Sequence, residues 1–188
     1  MGKRDNLCRN NSYINSVRAV KINVTLIPET WIIAPVMPKA QLLRYAEKKW
    51  IDAELAKHLD RAFPRNSDGK PIIFKMWLEA PLKRAIKRLG LDKDVLNFDI
   101  IDEKGIPVEY VVIPDKPLIY RRVILTERPT TELFEYIDST FEIKFTVTTP
   151  YPKKWMEAFN VAGRIGLMSR TRKGFGKFRV KYGVDVGT

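Results

Sequence analysis

The sequence has one cysteine, Cys8, and one histidine, His58, in 188 residues. No internal disulfide can form, and a zinc site built from Cys and His is excluded in practice. No apolar run approaches the roughly 18 residues that a membrane span needs. The N-terminal "MGKRDNLCRNNSYIN" lacks the apolar stretch of a signal peptide. It opens Met-Gly, but Asp5 and Asn6 give little support for lipidation. These absences disfavour a secreted or membrane protein and predict a cytoplasmic one, with residues 1–16 as a flexible tail. There is no internal repeat and no low-complexity tract. Carboxylates do not gather as two-metal chemistry requires: Asp99, Asp102 and Glu103 lie together in "FDIIDEKG", which reads as a turn. No Ser/His/Asp or Cys/His set can be built around a single histidine. No metal and no cofactor are therefore expected.

What is abundant is positive charge. The formal net charge is +12, which speaks to partners rather than to fold. Nucleic acid leads, with an anionic membrane surface second; a basic surface without such a partner is the plain alternative. A hydrophobic share of 45% and a charged share of 30% are those of a soluble globular chain. The length suits one domain, residues 17–188, able to bury a core without covalent staples.

"VRAVKINVTLI" alternates, with Val20, Ile22, Val24 and Leu26 on one side and Lys21, Asn23 and Thr25 on the other. This predicts a half-buried strand. An apolar loop bounded by Pro28 and Pro38 follows. From Lys39 to Phe63, Leu43, Ala46, Trp50, Ala53, Leu55 and Leu59 recur at helical spacing, and "PRNSDGKP" ends the run. A second helix is predicted from Trp77 to Leu89, ended by Gly90, with Pro81 near its first turn. Val95–Ile101 and Ile106–Ile113 read as strands around "DEKG", and Leu118–Glu127 as another. "FEIKFTVTT" alternates strictly. A helix follows, "PKKWMEAFNVAG", with Pro152 at its start, then a glycine-rich stretch and a last strand in "FGKFRVKYG". The order is an elaborated β-α-β-β-α-β plan, the ferredoxin-like arrangement in the α+β class: one antiparallel sheet, helices on one face, and a helical insertion at about 39–71.

"GRIGLMSRTRKGFGKF" carries the chemistry. No acid stands between Glu157 and Asp185, but seven cations do: Arg164, Arg170, Arg172, Lys173, Lys177, Arg179 and Lys181. A polyanion relieves the repulsion among them and releases counterions. Glycines such as Gly174 and Gly176 let backbone amides approach phosphate oxygens. The alternative is a solvated turn with Gly163 capping the helix. The spacing fits neither the P-loop nor the dinucleotide fingerprint. On the last strand, Lys177, Arg179 and Lys181 alternate with Phe178, Val180 and Tyr182, giving a cationic face that can track a backbone or simply blunt edge pairing. Lys83, Arg84, Lys87 and Arg88 share one flank of the second helix: a further phosphate contact, a membrane-facing helix or a solvated face. His58 is the single candidate for acid–base catalysis, without an evident partner; Tyr45, Tyr120 and Tyr182 are the remaining proton-transfer groups.

"GRIGLMSRTRKGFGKFRV" resembles the C-terminal glycine-rich loop of the RAMP superfamily, the RNA-binding proteins of CRISPR systems, whose glycine-hydrophobic-glycine ending Gly174, Phe175 and Gly176 match. "GKPIIFKMWLEAPLKRAIKRL" is similar to the segment that opens the first major helix of backbone-type members. Lys83 and Arg84 stand at its basic end, while Met76, Trp77, Glu79 and Ala80 replace its serines and glycine. The resemblance implies an RRM-type domain that coats or holds single-stranded guide or repeat RNA, without membrane contact and beside other protein subunits. Two alternatives remain: a metal-independent endoribonuclease that processes repeat RNA, for which His58 sits unusually in mid-helix, and a basic viral structural or assembly protein.

Overall fold

The computed structural model describes residues 19–124, 127 and 130–184. The tail expected at 1–16, residues 17–18 of the first expected strand, and residues 125–126 of the strand expected at Leu118–Glu127 lie outside the described residues. In chain order, β1 (Val20–Pro28) and the short β2 (Ile32–Ile33) precede α1 (Lys39–Glu47), α2 (Ala53–His58) and β3 (Leu59–Arg61). Then come β4 (Ile72–Phe74), α3 (Lys75–Leu89), β5 (Asp99–Ile101), β6 (Pro107–Val108) and β7 (Tyr110–Val112). The remainder is β8 (Leu118–Ile124), β9 (Thr130–Ile137), β10 (Ile143–Thr149), α4 (Pro152–Ile165) and β11 (Phe178–Val184).

The main sheet runs β11-β1-β10-β5-β6. Without β6, its strands, helices α3 and α4 and their connections form β-α-β-β-α-β with the fourth strand beside the first. The fold is α+β and ferredoxin-like. β1 is central and antiparallel to both neighbours, with Val24 opposite Phe145 of β10 and Tyr182 of β11. The alternation read in β1 is physical: Ile22, Val24 and Leu26 are buried beneath the helices, while Lys21 and Asn23 are exposed.

Helix α4 lays Trp155, Ala158, Phe159, Ala162 and Gly163 on this sheet, the three-and-four spacing of an amphipathic stripe. Trp155 and Phe159 stack with centroids 4.7 Å apart. Gly163 does not cap the helix, which continues to Ile165 before Gly166 ends it. Its role is close approach: a Cβ there would lie 2.2 Å from the Phe178 carbonyl oxygen of β11. Gly163→Ala gains roughly 1 kcal/mol of helix propensity but presses on backbone that cannot swing aside. A net loss of about 1–3 kcal/mol is expected, read as a lower urea midpoint at unchanged m-value.

Helix α3 starts at Lys75, two residues earlier than predicted, so Pro81 sits in the second turn, inside the helix. It removes one donor there and is itself buried. Gly90 ends α3 in the left-handed region at φ 64°.

The long helix predicted over Lys39–Phe63 is broken. Lys49 adopts φ 57°, and Asp52 caps α2 by accepting from the Glu54 and Leu55 amides at 2.9 and 3.0 Å. The periodicity survives the break because both helices feed one small core of Leu42, Tyr45, Ile51, Ala56, Leu59 and Ala62. The buried face is also one residue off the prediction: Leu42 is buried and Leu43 is exposed.

A second sheet has β9 at its centre. β8 pairs along one edge of β9, while β2 and β3 pair with successive parts of the other. Neither β9 nor β2 was expected from the sequence. This sheet thus joins the connection after β1 to the connection before β10. Among the described residues no helix is long and apolar enough to cross a membrane.

Candidate nucleic-acid interface

The glycine-rich stretch is a clamped loop. The Leu167 amide donates to the Gly176 carbonyl at 2.8 Å, closing the loop on itself, and the Gly176 amide donates to the Trp31 carbonyl at 2.8 Å. Thr30 binds it from the side: its hydroxyl donates to the Gly174 carbonyl at 3.1 Å and accepts from the Lys177 amide at 2.9 Å. The glycines therefore divide. Gly176 is buried, its amide is spent inside the fold, and a Cβ would meet the Leu167 carbonyl oxygen at 2.2 Å. Its conformation serves packing, and its amide is not the free donor that the sequence suggested. Gly174, at φ 87°, has open space where a Cβ would stand; its amide too is spent inside the loop, on the Thr171 carbonyl at 3.0 Å, so what it offers another molecule's backbone is room and not a free donor.

A single 3-10 turn, Thr171–Lys173, lifts Arg172 and Lys173 into solvent. Lys177, Arg179 and Lys181 continue the exposed charge along β11. On that strand the alternation holds: Phe178 is buried, and the Tyr182 hydroxyl donates to the Met156 carbonyl of α4 at 3.1 Å. Arg179 and Lys181 hence lie on the face away from the helices. Register adds two residues to that face that the sequence reading passed over. Lys144 of β10 and Lys181 of β11 stand opposite Thr25 from its two sides, and Lys21 is on the same side of β1. The strict alternation of β1 and β10 was the available signal. This face also floors a cleft of about 670 Å³ that runs from Asn23, Thr25 and Lys144 to Lys70 and Lys104, where Asp68, Asp102 and Glu103 offset the lysines.

The remaining candidates lie elsewhere. Lys83, Arg84, Lys87 and Arg88 are exposed on α3, and Arg164 is exposed on α4. These helices cover the opposite face of the sheet, so their cations do not join the β11 row. Lys83 pairs with Glu79 at 2.9 Å.

Arg170 is placed differently from the other loop cations. At φ 58°, its guanidinium binds the Glu132 carboxylate of β9 and sits 5.5 Å from the Phe134 ring centre. Arg61 reaches the same carboxylate at 2.7 Å. The loop's repulsion is thus partly relieved within the chain, by an acid that its own segment does not contain. Burial opposes ionisation of Glu132, but the hydrogen bonds and charges of Arg61 and Arg170 prevail and hold its carboxyl below the usual range. A lowered folded value means stability that is present above the ordinary value of 4.5 and lost as pH falls through the folded one. Glu132→Gln is expected to lower the melting temperature at neutral pH, with the gap to wild type closing in a pH series taken below that value.

Around Trp31 stands a group of rings from four segments. Trp31 stacks on Tyr136 at 4.4 Å and lies 5.2 Å from Tyr120 and 6.3 Å from Phe175. Tyr120 and Phe134 face each other across β8 and β9 at 5.2 Å.

Of the proton-transfer candidates, Tyr120 lies in this region and the others lie elsewhere. His58 ends α2, exposed, and its side chain forms no ion pair or hydrogen bond among the described residues. The Tyr45 hydroxyl accepts from the Gln41 side chain at 3.0 Å, beside the second core. Burial raises the Tyr182 phenol well above the ordinary tyrosine range, which suits a donor and not a base. Asp102 accepts from the Lys104 and Ile106 amides at 2.9 and 2.8 Å, as a turn residue does.

No family model and no curated protein matches this sequence. The fold, however, has a solved counterpart. It is similar to one chain in a cryo-EM structure of the type III-B Cmr-beta bound to cognate target RNA, with a TM-score of 0.58 and 12% sequence identity. The match covers 90% of this chain and 61% of the Cmr-beta chain. At that identity the likeness is one of fold. The present chain accounts for less than two thirds of its counterpart.

Proposed function

We propose that this chain, through a single RNA-binding unit spanning 17–188, holds single-stranded guide or repeat RNA as a non-catalytic subunit of a CRISPR-type ribonucleoprotein. The observation that carries this reading is one row of exposed cations: Arg172 and Lys173 on the clamped loop beside half-buried Gly174, then Lys177 just before β11 and Arg179 and Lys181 on it. Charges fixed on a closed loop and a strand lose little freedom on meeting phosphates, and Gly174 removes the bulk that would keep a backbone away. The fold likeness to a chain of an RNA-bound Cmr-beta structure supports RNA as the polymer and other subunits as partners.

The test is nuclease-treated protein with labelled single-stranded RNA and matched DNA, run on native and denaturing gels without metal. A salt-sensitive shift with intact RNA is expected. Absence of a shift on either nucleic acid at low salt would overturn the reading. Discrete cleavage products would replace it with an endoribonuclease and make His58→Ala the next variant.

A further inference from the structure

We infer that the ring cluster beside the glycine-rich loop is a stacking platform for unpaired RNA bases, with Tyr120 as its open face. This rests on the RNA-holding reading and names the part of the ligand that the cationic track does not address. Trp31, Tyr120, Tyr136 and Phe175 pack in neither hydrophobic core. Trp31, Tyr136 and Phe175 are half-buried, with Trp31 meeting each of the others, while Tyr120 is 36% exposed. On β8 its neighbours Leu118 and Ile119 are also exposed, at 37% and 39%.

The surroundings identify the occupant. A lipid or an apolar protein partner would want this strip free of fixed charge. Instead Arg122 shares the Tyr120 face of β8, two residues on, and is exposed. Arg170 lies against Phe134 below, and Phe175 stands between Gly174 and Lys177 in the track itself. Rings interleaved with cations fit a polymer whose bases have π-faces and whose backbone is anionic. The main sheet offers less for stacking. Its helix-free strands show Lys21, Asn23, Thr25, Lys144, Thr146, Arg179 and Lys181, and the rings that line the cleft beside them, Tyr110 and Phe145, are half-buried and make no ring cluster with one another among the described residues.

The experiment is equilibrium binding of the full chain to a short mixed-sequence single-stranded RNA and to a phosphodiester of the same length made of abasic ribose units. Wild type, Tyr120→Ala and Tyr120→Phe are compared across a salt series. Stacking predicts that wild type binds the abasic chain roughly 5- to 100-fold more weakly than RNA. Tyr120→Ala should lose a similar factor on RNA and nothing further on the abasic chain, at an unchanged salt slope, and Tyr120→Phe should retain wild-type binding. Equal wild-type affinity for the two oligomers, with a steep salt slope, would overturn the platform and leave the cationic track standing. Unchanged RNA affinity in Tyr120→Ala would do the same. Failure to bind either oligomer at low salt would remove the platform and the RNA reading together.

Discussion

Glu135→Ala is expected to cost about 3–5 kcal/mol of folding stability, the largest effect of any single side chain outside the apolar cores. Glu135 projects from β9 and is 2% exposed; Arg65, its partner, is 3% exposed. The guanidinium reaches one carboxylate oxygen at 2.5 Å and the other at 3.1 Å. That second oxygen also accepts the Phe63 amide at 2.8 Å, and Arg65 returns a bond to the Phe63 carbonyl at 2.8 Å. Removing the carboxylate strands a buried cation and a buried amide together. For a chain of this size the loss corresponds to a melting temperature lower by roughly 6–20 °C. Replacing both partners, as Arg65→Met with Glu135→Leu, should recover the part due to the lone charge, while the Phe63 amide and carbonyl stay without these partners. A single-variant loss below about 1 kcal/mol would mean that water enters and solvates Arg65.

The second large effect is on salt dependence. Five cations meeting five phosphates of a single strand give a log-log slope of about −3.5, hence roughly 100-fold weaker binding between 50 and 200 mM salt. Arg172→Ala with Lys173→Ala should flatten the slope by about 1.4 without lowering stability, since both side chains are exposed on the 3-10 turn. Adding Lys177→Ala, Arg179→Ala and Lys181→Ala should leave an almost flat profile. Arg170→Ala is expected to behave differently, lowering the melting temperature, because its guanidinium is bound to Glu132. An unchanged slope in the two-alanine variant would take the loop out of the interface.

How legible these features were depended on whether a strand has one wet face. β1, β10 and β11 lie with helices on one side and polar residues on the other, so their alternation could be read directly, as could the cationic row of Arg179 and Lys181. β9 could not. Phe134 and Glu135 are both buried on it, at 2% each, so it shows no alternation, and a glutamate inside a run normally argues for solvent. Arg65, which neutralises it, is far away in sequence. The break between α1 and α2 was hidden because Tyr45 and Ala56 serve the same small core. The interface was half legible for a similar reason. Gly174 and the loop cations are contiguous, but Trp31, Tyr120, Tyr136 and Phe175 converge from separate segments and form no local pattern. Which side of the sheet carries Lys83 to Arg88 was likewise a matter of topology.

The strand order has a bearing on how the chain reaches this state. β1 precedes in the chain both strands that pair with it, β10 and β11. β2 likewise waits for β9: Ile32 must find Ile137. As the polypeptide leaves the ribosome, the most regular strand of the main sheet is made with both edges unpaired, and it stays so until β10 has been made. Such edges are templates for the wrong partner. Closure depends on non-local pairing, which is slow. Translation speed between β1 and β10, and chaperones that shield nascent strands, should therefore govern the yield of soluble protein more than the final stability does.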